Sequence, residues 1–366
     1  MSTIKKLTHV AGTFLIEAPA SFLNGAGLGD GENRNVTLPK TFRDGRDRVP
    51  YVSAQSWRRW LRNTLIEETN WEPSVLRSLT VSAKGTTNKI GGEFNPIDFP
   101  EDDIFGYMRA ASNKKRQSDI EDGESEEDEV EHSGRKVKTL IRASPFSSSI
   151  LCSVRKSGWQ GRDEGFVHLK EGTPLPYTTE FYCTHLEGVF SLNYMRLGVF
   201  WNIGDRVELD EAKVDDFLKC GKIEVIKEEG KSGKIYESTN AADKRKERTS
   251  ALLNALAHLR GGAKQAAFGT DVSPKVLILA GVTCGNPMFN SLFVDDGNGP
   301  YLKVDTLKEI AKDYADRIVT PIFIGIRKGY LKNESDVLQL NGEVSGVTFK
   351  ILTPIESAKE MATVLS

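Results

Sequence analysis

Residues 51–68 read YVSAQSWRRWLRNTLIEE and give the best-defined helix pattern in this chain of 366 residues. Ser53 is a residue type that caps helix starts, and Val52 can pack on Trp57 across the first turn. The apolar positions recur at helical spacing and share one stripe: Trp57, Trp60, Leu61, Thr64 and Leu65. The opposite face is polar and basic, with Gln55, Arg58, Arg59 and Arg62. The stretch predicts a helix with one buried face and one cationic face.

The elements on either side of this helix predict an α+β fold. The predicted strands cover 8–17, 181–184, 189–200 and 275–282, and the predicted helices cover 53–68 and 243–259. A turn is expected around Leu186 to Gly188, and the second helix should end at Gly261-Gly262. The order strand, helix, two strands, helix, strand is that of a split ferredoxin-like unit.

We expect one elaborated domain with large insertions. Its core is assigned to 8–17, 53–68, 181–200, 243–282 and a C-terminal part over 302–366, which holds a helix at 302–316, strands at 318–326 and 344–352 and a last helix from Ile355. The insertions are assigned to 69–180, and the glycine-rich stretch 20–47 is predicted to be a long mobile loop.

Charge is distributed unevenly along the chain. Asp119 to Glu131 holds nine acidic residues and no basic one, so we predict that 112–133 is a disordered acidic loop. The remaining chain has 49 basic residues against 42 acidic ones, a net charge of +7. The body of the protein is therefore compatible with a polyanionic partner.

Several classes of protein do not fit the sequence. The longest apolar run, Val276 to Val282, is too short to span a membrane, and no signal-peptide core follows the N-terminus, so we expect a cytoplasmic protein. The four cysteines are far apart and are predicted to be small buried residues: Cys152, Cys183, Cys220 and Cys284. The histidines show no paired spacing, and we expect neither a metal nor a cofactor.

Two segments are suited to binding a phosphate backbone. The start of the helix at Ser53 offers unpaired N–H groups and the positive end of the helix dipole. The second segment follows the second helix and consists of Gly261, Gly262, Ala263, Lys264 and Gln265. Its glycines allow close backbone approach, and its polar side chains can donate to phosphate oxygens or 2′-hydroxyls. The alternatives are a solvated arginine face and a plain helix cap.

A basic stretch over 135–142 is the third candidate. It alternates charged and apolar residues and includes Lys136, Lys138 and Arg142, a pattern that suits a ribbon gripping a nucleic-acid backbone. It could equally be a solvated edge strand. A fourth stretch, Leu23 to Asp30, has three glycines after a strand, but no helix opens behind them as a dinucleotide site requires.

Five segments, in chain order, resemble the Cascade backbone subunit of type I-B CRISPR systems, the DevR branch of the Cas-seven family. They are Asn24-Gly25, the helix start at 50–62, 104–108, 144–146 and 261–264. The resemblance implies a modified RRM-like palm with finger insertions and a thumb, and no catalytic activity. It implies that copies stack head to tail along the CRISPR RNA, with other Cascade subunits and target DNA as partners.

The resemblance also implies roles for particular residues. The guide backbone would be cradled by Asn24 and Gly25, by the helix start with Ser53, Gln55 and Arg58, flanked by Arg59 and Arg62, and by 261–265. The thumb would include Met108 and strands around 136–151, and it would kink the guide over the neighbouring subunit.

Two other functions stay open at this level. Related subunits of RNA-targeting complexes cleave RNA with a loop aspartate, and Asp30 or Asp44 lies in roughly the matching loop, which would make the chain a metal-dependent ribonuclease. The third hypothesis is an enzyme that binds a phosphate-bearing ligand through Gly25 to Gly31. Whether the complex hands DNA to a nuclease-helicase or to transposition proteins is not determined by the sequence.

Overall fold

The computed structural model describes residues 6–29, 35–75, 77–81, 87–109, 139–167, 169–230 and 233–365. Asp30, Lys136, Lys138 and the acidic segment 112–133 therefore lie outside the described residues, and the predictions made for them remain predictions. In the parts of the chain that are described, none of the helices combines the length and apolar character needed to cross a bilayer.

The strands are numbered in chain order. They are β1 His9–Ser21, β2 Gly25–Leu28, β3 Val36–Pro39, β4 Thr41–Asp44, β5 Asp47–Val52, β6 Arg77–Val81, β7 Thr87–Gly91, β8 Tyr107–Arg109, β9 Leu140–Arg142, β10 Phe146–Ser148, β11 Leu151–Ser153, β12 Gln160–Val167, β13 Leu175–Asn193, β14 Val199–Ile203, β15 Arg206–Val207, β16 Ile223–Glu228, β17 Gly233–Ser238, β18 Val276–Val282, β19 Phe293–Asp295, β20 Pro300–Leu302, β21 Ile322–Ile326, β22 Gly342–Val344 and β23 Val347–Leu352.

The helices are α1 Ala54–Glu67, α2 Pro100–Phe105, α3 Glu211–Lys219, α4 Ala241–Ala257, α5 Gln265–Phe268, α6 Val304–Asp313, α7 Glu334–Leu338 and α8 Pro354–Thr363. The two helices predicted around 53–68 and 243–259 are thus confirmed to within two residues at each end. The predicted C-terminal helices correspond to α6 and α8.

The chain forms two compact units. The first unit comprises 1–71, 145–197 and 242–366, and the second comprises 72–144 and 198–241. The expected insertion over 69–180 differs from this division, because 145–180 lies in the first unit. Residues 198–200, which were assigned to the core, lie in the second unit.

The first unit is built on a sheet with the order β22-β23-β21-β18-β1-β13-β11-β5-β4. Strand β1 pairs antiparallel with both β13 and β18, and β11 pairs antiparallel with β13. The chain passes from β1 through α1 to β11, with β13 inserted between the two strands, which is the split βαβ arrangement. The predicted α+β class with insertions is confirmed.

The turn predicted around Leu186 to Gly188 is wrong. These residues lie inside β13, which runs without interruption from Leu175 to Asn193. Gly188 is required for packing rather than for a turn, because a Cβ there would come 2.7 Å from the Phe14 ring and 2.5 Å from Leu151. The second strand of the split βαβ unit is formed by β10 and β11, and not by the strand predicted over 181–184.

One core of the first unit lies between α1 and the sheet. Trp57, Leu61, Thr64 and Leu65 are buried as the spacing predicts, whereas Trp60 is half-buried. The Trp57 ring meets Phe14 edge-on at 5.4 Å, and its Nε1 donates to the carbonyl oxygen of Ser149 at 2.7 Å. Burying a side chain of this size stabilises the fold by about 2–3 kcal/mol.

A second core of the first unit gathers the C-terminal elements. All seven residues of β18 are buried, and four of them pack with residues of α6, β21 and β23: Val276, Ile278, Ala280 and Val282. Helix α8 begins with a capping box between Thr353 and Glu356, which satisfies two N–H groups at its start.

The glycine-rich stretch 20–47 is largely strand, contrary to the predicted long loop. Strand β1 continues to Ser21, and the described part of the stretch contains β2, β3 and β4. Strand β3 pairs parallel with β13 at Thr178 and Thr179. The unusual length of β13 offers β3 an edge, which local sequence does not reveal, and β2 pairs with β3 in turn.

The second unit has its own sheet, with the order β16-β17-β14-β15-β9-β8. Its apolar core is centred on Phe200, Leu209 and Ile223, and α3 packs on it through Val214. Helix α3 starts at Asp210, whose side chain accepts from the backbone N–H of Ala212.

Candidate nucleic-acid interface

Asn24 connects the segment after β1 to the start of α1. Its Oδ1 accepts a hydrogen bond from the backbone N–H of Ser53 at 2.9 Å, and its carbonyl oxygen accepts from the N–H of Lys40 at 2.8 Å. Ser53 is the N-cap residue, but its own hydroxyl makes no capping bond and lies 2.9 Å from Ser56 Oγ. The predicted side-chain cap by Ser53 is therefore corrected.

The glycine pair reaches the same segment from the other side. The N–H of Ala263 donates to the carbonyl oxygen of Leu23 at 2.9 Å. Gly261 and Gly262 have φ values of +146° and +110°, in the region that favours glycine. A Cβ on Gly261 would overlap the Trp60 ring, and one on Gly262 would come 2.6 Å from Leu23 Cδ2. The close approach explains why both positions are glycine.

Helix α1 holds this loop through a third contact. The N–H of Arg260 donates to Thr64 Oγ1 at 3.1 Å, one turn along α1 from Trp60. Thr64 is buried, so this bond is shielded from water. The segment after β1, the start of α1 and the glycine pair therefore converge on one region of the first unit.

Lys264 and Gln265 are engaged within the protein. Lys264 Nζ donates to Thr179 Oγ1 at 2.7 Å and lies 5.1 Å from the centre of the Phe22 ring. Gln265 Nε2 donates to the carbonyl oxygens of Gly261 and Thr270. The Gln265 amide nitrogen, which was predicted to donate to RNA, is thus used to fix the loop. The Lys264 ammonium group has three N–H donors, and two of them remain available after the bond to Thr179.

The basic face of α1 contains two kinds of arginine. Arg59 is exposed, and so is the neighbouring Gln55. Outside the helix, Gly25 is half-buried at the first residue of β2. Arg58 is half-buried: its Nη1 donates to the carbonyl oxygen of Phe146 at 2.5 Å and to Ser148 Oγ at 3.3 Å. Burial lowers the pKa of the Arg58 guanidinium from its ordinary value. Arg62 is half-buried, so Arg59 is the most accessible cation of the three.

Met108 lies in the second unit, on β8, which pairs antiparallel with β9. It pairs with Ile141, and the two side chains are 66% and 40% exposed. The role in RNA binding that the resemblance implies for Met108 stays a prediction. Strands β10 and β11, by contrast, pair in the sheet of the first unit, so the stretch 136–151 that was assigned to the thumb is divided between the two units after Ser144.

Arg142 is not a surface cation, contrary to the prediction from the basic stretch. It is 2% exposed, and its guanidinium forms ion pairs with Asp103 and with Glu208, the latter at 3.0 Å. It also lies over the Phe200 ring at 4.6 Å. The alternation of charged and apolar residues that suggested a backbone grip places this residue, as the inward member of β9, in the interior.

Three residues of the interface were missed by sequence reasoning. Trp60 and Thr64 were assigned only to the buried stripe, yet they support Gly261 and Arg260. Lys40 is half-buried and is bonded through its backbone to Asn24 and Tyr51. Its position depends on the pairing of β3 with β13, for which the local sequence gives no signal.

Two aspartates were candidates for catalysis, and Asp44 is the one within the described residues. It forms an ion pair with Lys156 at 2.5 Å. Within the described ranges, no three His, Cys, Asp or Glu side chains are grouped as a metal site would require. Cys183 and Cys220 are exposed, so the prediction that all four cysteines are buried is wrong.

The sequence matches no family model and no curated protein. The fold does match solved structures. A chain of a "CRISPR RNA-guided surveillance complex, pre-nicking" has 12% identity and a TM-score of 0.58, covering 98% of this chain and 100% of its own. A chain of a "CRISPR RNA-guided surveillance complex" has 12% identity and a TM-score of 0.49, covering 97% and 99%. The first likeness extends over the whole chain and establishes a shared fold.

Proposed function

We propose that this protein is a non-catalytic CRISPR RNA-binding backbone subunit of a type I-B Cascade complex. The observation that carries the proposal is that the start of α1 and the loop after the glycine pair both bond to the segment after β1. Ser53 bonds to Asn24, and Ala263 bonds to Leu23. The fold shared with a chain of a CRISPR RNA-guided surveillance complex supports the same assignment.

The chemistry of the region suits a ribose-phosphate strand of any sequence. Backbone N–H groups at a helix start and glycines that permit close approach bind phosphates without reading bases. The exposed Arg59 and the two remaining donors of Lys264 add positive charge. Specificity for a target would then come from pairing of the guide with DNA, as in other RNA-guided systems.

Assembly is the second part of the proposal. Copies of the chain follow one another head to tail along the guide, because a heterologous contact that does not close on itself generates a helical filament. The other partners are further Cascade subunits, target DNA paired to the guide, and either a nuclease-helicase or transposition proteins. The complex acts in the cytoplasm.

The exposed side of the interface allows a direct test. Charge reversal in Gln55→Glu, Arg59→Glu leaves the packed Arg58 in place and puts two carboxylates at the helix start. Titration of labelled guide RNA should show a large loss of affinity, and affinity of the unchanged protein should fall steeply with salt because phosphate contacts release counterions. The control is Lys312→Glu, an exposed cation on α6 of the same unit. Equal affinity for all three proteins would refute the proposal.

The non-catalytic part needs a separate measurement. Complementary RNA is incubated with the guide-loaded protein and magnesium, and no cleavage is expected. Cleavage that disappears in Asp44→Ala or Asp30→Ala would instead identify the chain as a metal-dependent ribonuclease.

A further inference from the structure

Two adjoining cavities lie against the sheet of the first unit. One has a volume of about 440 Å³ and the other about 270 Å³, and they share Ser149, Val189 and Asn290. The larger volume falls within the range of ligand sites in proteins, roughly 300–1,000 Å³. Strands β10, β11 and β13 form the floor, and the segment 287–294 forms one wall. We call this pair of cavities the sheet groove.

The wall of the sheet groove is held in a fixed position. Glu187 on β13 accepts a hydrogen bond from the N–H of Leu292 at 2.9 Å, and Thr13 Oγ1 donates to the same carboxylate at 3.4 Å. Ser291, next to Leu292, has a φ of +56°, a conformation that costs free energy in a residue with a side chain. Strained residues of this kind concentrate where a protein positions groups for binding.

A buried hydroxyl in the floor is unused. Ser191 is 3% exposed and borders the smaller cavity, and its Oγ has no hydrogen-bond partner within the described residues. A buried hydroxyl without a partner is unfavourable, and a ligand in the cavity would supply the missing bond. The neighbouring Ser147 is satisfied, since its Oγ donates to the carbonyl oxygen of Ser191 at 3.0 Å.

The charged groups of the sheet groove are Lys303, Lys156 and the buried carboxyl of Glu187, on which the charge of Lys303 acts. Lys303 is exposed at the rim and uses one N–H on the carbonyl oxygen of Ser291 at 2.9 Å, so two donors remain. Burial raises the pKa of Glu187 to about 7, and the N–H of Leu292 opposes that rise. The second lysine at the rim, Lys156, is paired with Asp44. One available cation suits a single phosphate better than a long polyanion.

We infer that the sheet groove binds one nucleoside monophosphate unit, with the base in the smaller cavity against Ser191 and Asn290 and the phosphate at Lys303. The edge of a nucleobase presents donors and acceptors side by side, and hydroxyl and amide groups can pair with both. The unit comes either from a free nucleotide or from a nucleotide of a bound single strand. Ser191, Asn290 and Lys303 are not among the residues proposed to bind the guide, and the smaller cavity adjoins those residues through Ser148, which accepts a hydrogen bond from Arg58.

Cys152 provides the probe, because it is half-buried, free and borders the larger cavity. Its alkylation by iodoacetamide is followed by peptide mass spectrometry in the full-length chain, with exposed Cys220 of the second unit as the internal reference. At a nucleotide concentration ten times Kd, the Cys152 rate should fall about tenfold while the Cys220 rate is unchanged. The ligands are the four nucleoside 5′-monophosphates, their nucleosides, inorganic phosphate and a short single-stranded RNA.

Three variants test where the nucleotide that protects Cys152 binds. Ser191→Ala should abolish the protection, whereas the control Ser357→Ala should keep it. Both variants remove a buried hydroxyl that lacks a partner in the described chain, so both should fold as stably as the parent. Lys303→Gln should weaken binding of monophosphates but not of nucleosides.

The ligand arms separate the possible results. Protection by mononucleotides identifies a free nucleotide, and protection by the RNA alone identifies a nucleotide of a strand. Protection by inorganic phosphate to the same extent as by nucleotides would overturn the inference, as would equal protection in Ser191→Ala or an unchanged Cys152 rate with every ligand. Guide affinity of Ser191→Ala should equal that of the parent, so failure here leaves the proposed guide site untouched.

Discussion

The guanidinium of Arg58 lies 5.4 Å from the centre of the Phe146 ring and donates to the carbonyl oxygen of the same residue. One arginine of the helix that faces the proposed RNA site is therefore also a packing residue of the sheet. Arg59, the next residue, is exposed. Arg58 therefore has a structural role, whereas its neighbour Arg59 is available for binding.

We expect Arg58→Ala to lower the free energy of unfolding by about 2 kcal/mol, because a stacked and hydrogen-bonded cation is lost. Arg59→Ala should change it by less than about 0.5 kcal/mol, as is usual for exposed positions. Urea unfolding measures both, and guide titration should show loss of affinity in Arg59→Ala. A destabilised Arg59→Ala would contradict this division of roles.

Asn24 is expected to couple stability to binding. Asn24→Ala removes the acceptor for the Ser53 N–H and should cost about 1 kcal/mol, the usual effect of losing one hydrogen bond. Asn24→Asp keeps the acceptor, so stability should be retained while guide affinity falls through charge repulsion. Thermal unfolding and RNA titration are compared for both variants. Equal RNA affinity of Asn24→Asp and the parent would place the guide elsewhere.

Gly261→Ala should destabilise the first unit and weaken guide binding together, because a Cβ would overlap Trp60 and displace the loop. The control is Gly329→Ala, which also has a positive φ, +77°, but has no atom within 4 Å of the added Cβ. The control should lose only about 1 kcal/mol from backbone strain. The two are distinguished by unfolding measurements, and similar losses would mean that contact with Trp60 is unimportant.

Arg142→Met should reduce the stability of the second unit by about 3–5 kcal/mol, because Asp103 and Glu208 would remain buried without their cation. Arg109→Met breaks an ion pair with Asp210 that is about one-third exposed and should cost no more than about 1 kcal/mol. Hydrogen exchange of the second unit reports the difference. If Arg142→Met folds normally and loses RNA affinity instead, the burial described here is wrong.

Glu187 should make stability fall as pH rises. Its pKa in the folded protein, about 7, is above the ordinary 4.5 because the carboxyl is buried. The folded state therefore holds the proton more tightly, so its contribution is complete below pH 4.5 and is lost between pH 4.5 and pH 7. The loss corresponds to about 3 kcal/mol. In Glu187→Gln, which keeps an acceptor for Leu292, this part of the pH dependence of urea unfolding should vanish.

Local patterns predicted the parts of the fold that depend on near neighbours in sequence. The apolar spacing of 57–65 and the continuous apolar run of 276–282 gave α1 and β18 almost to the residue. Gly188 was misread as a turn, because a glycine required by the Phe14 ring looks the same in sequence as one required by a bend. The strands β2 and β3 were missed for a similar reason, since β3 pairs with the distant edge of β13 and β2 pairs with β3.

The sequence by itself determined the amphipathic helix at 54–67, the glycine pair after α4 and the basic body of the chain, because periodicity, composition and charge are local properties. Only the tertiary structure decided that Ser53 bonds to Asn24 and Ala263 to the adjacent Leu23. It also decided that Arg142 is buried among carboxylates while Arg59 is exposed. Such placements depend on hydrogen bonds and packing between residues far apart in the chain, and one amino-acid sequence specifies them only through the complete fold.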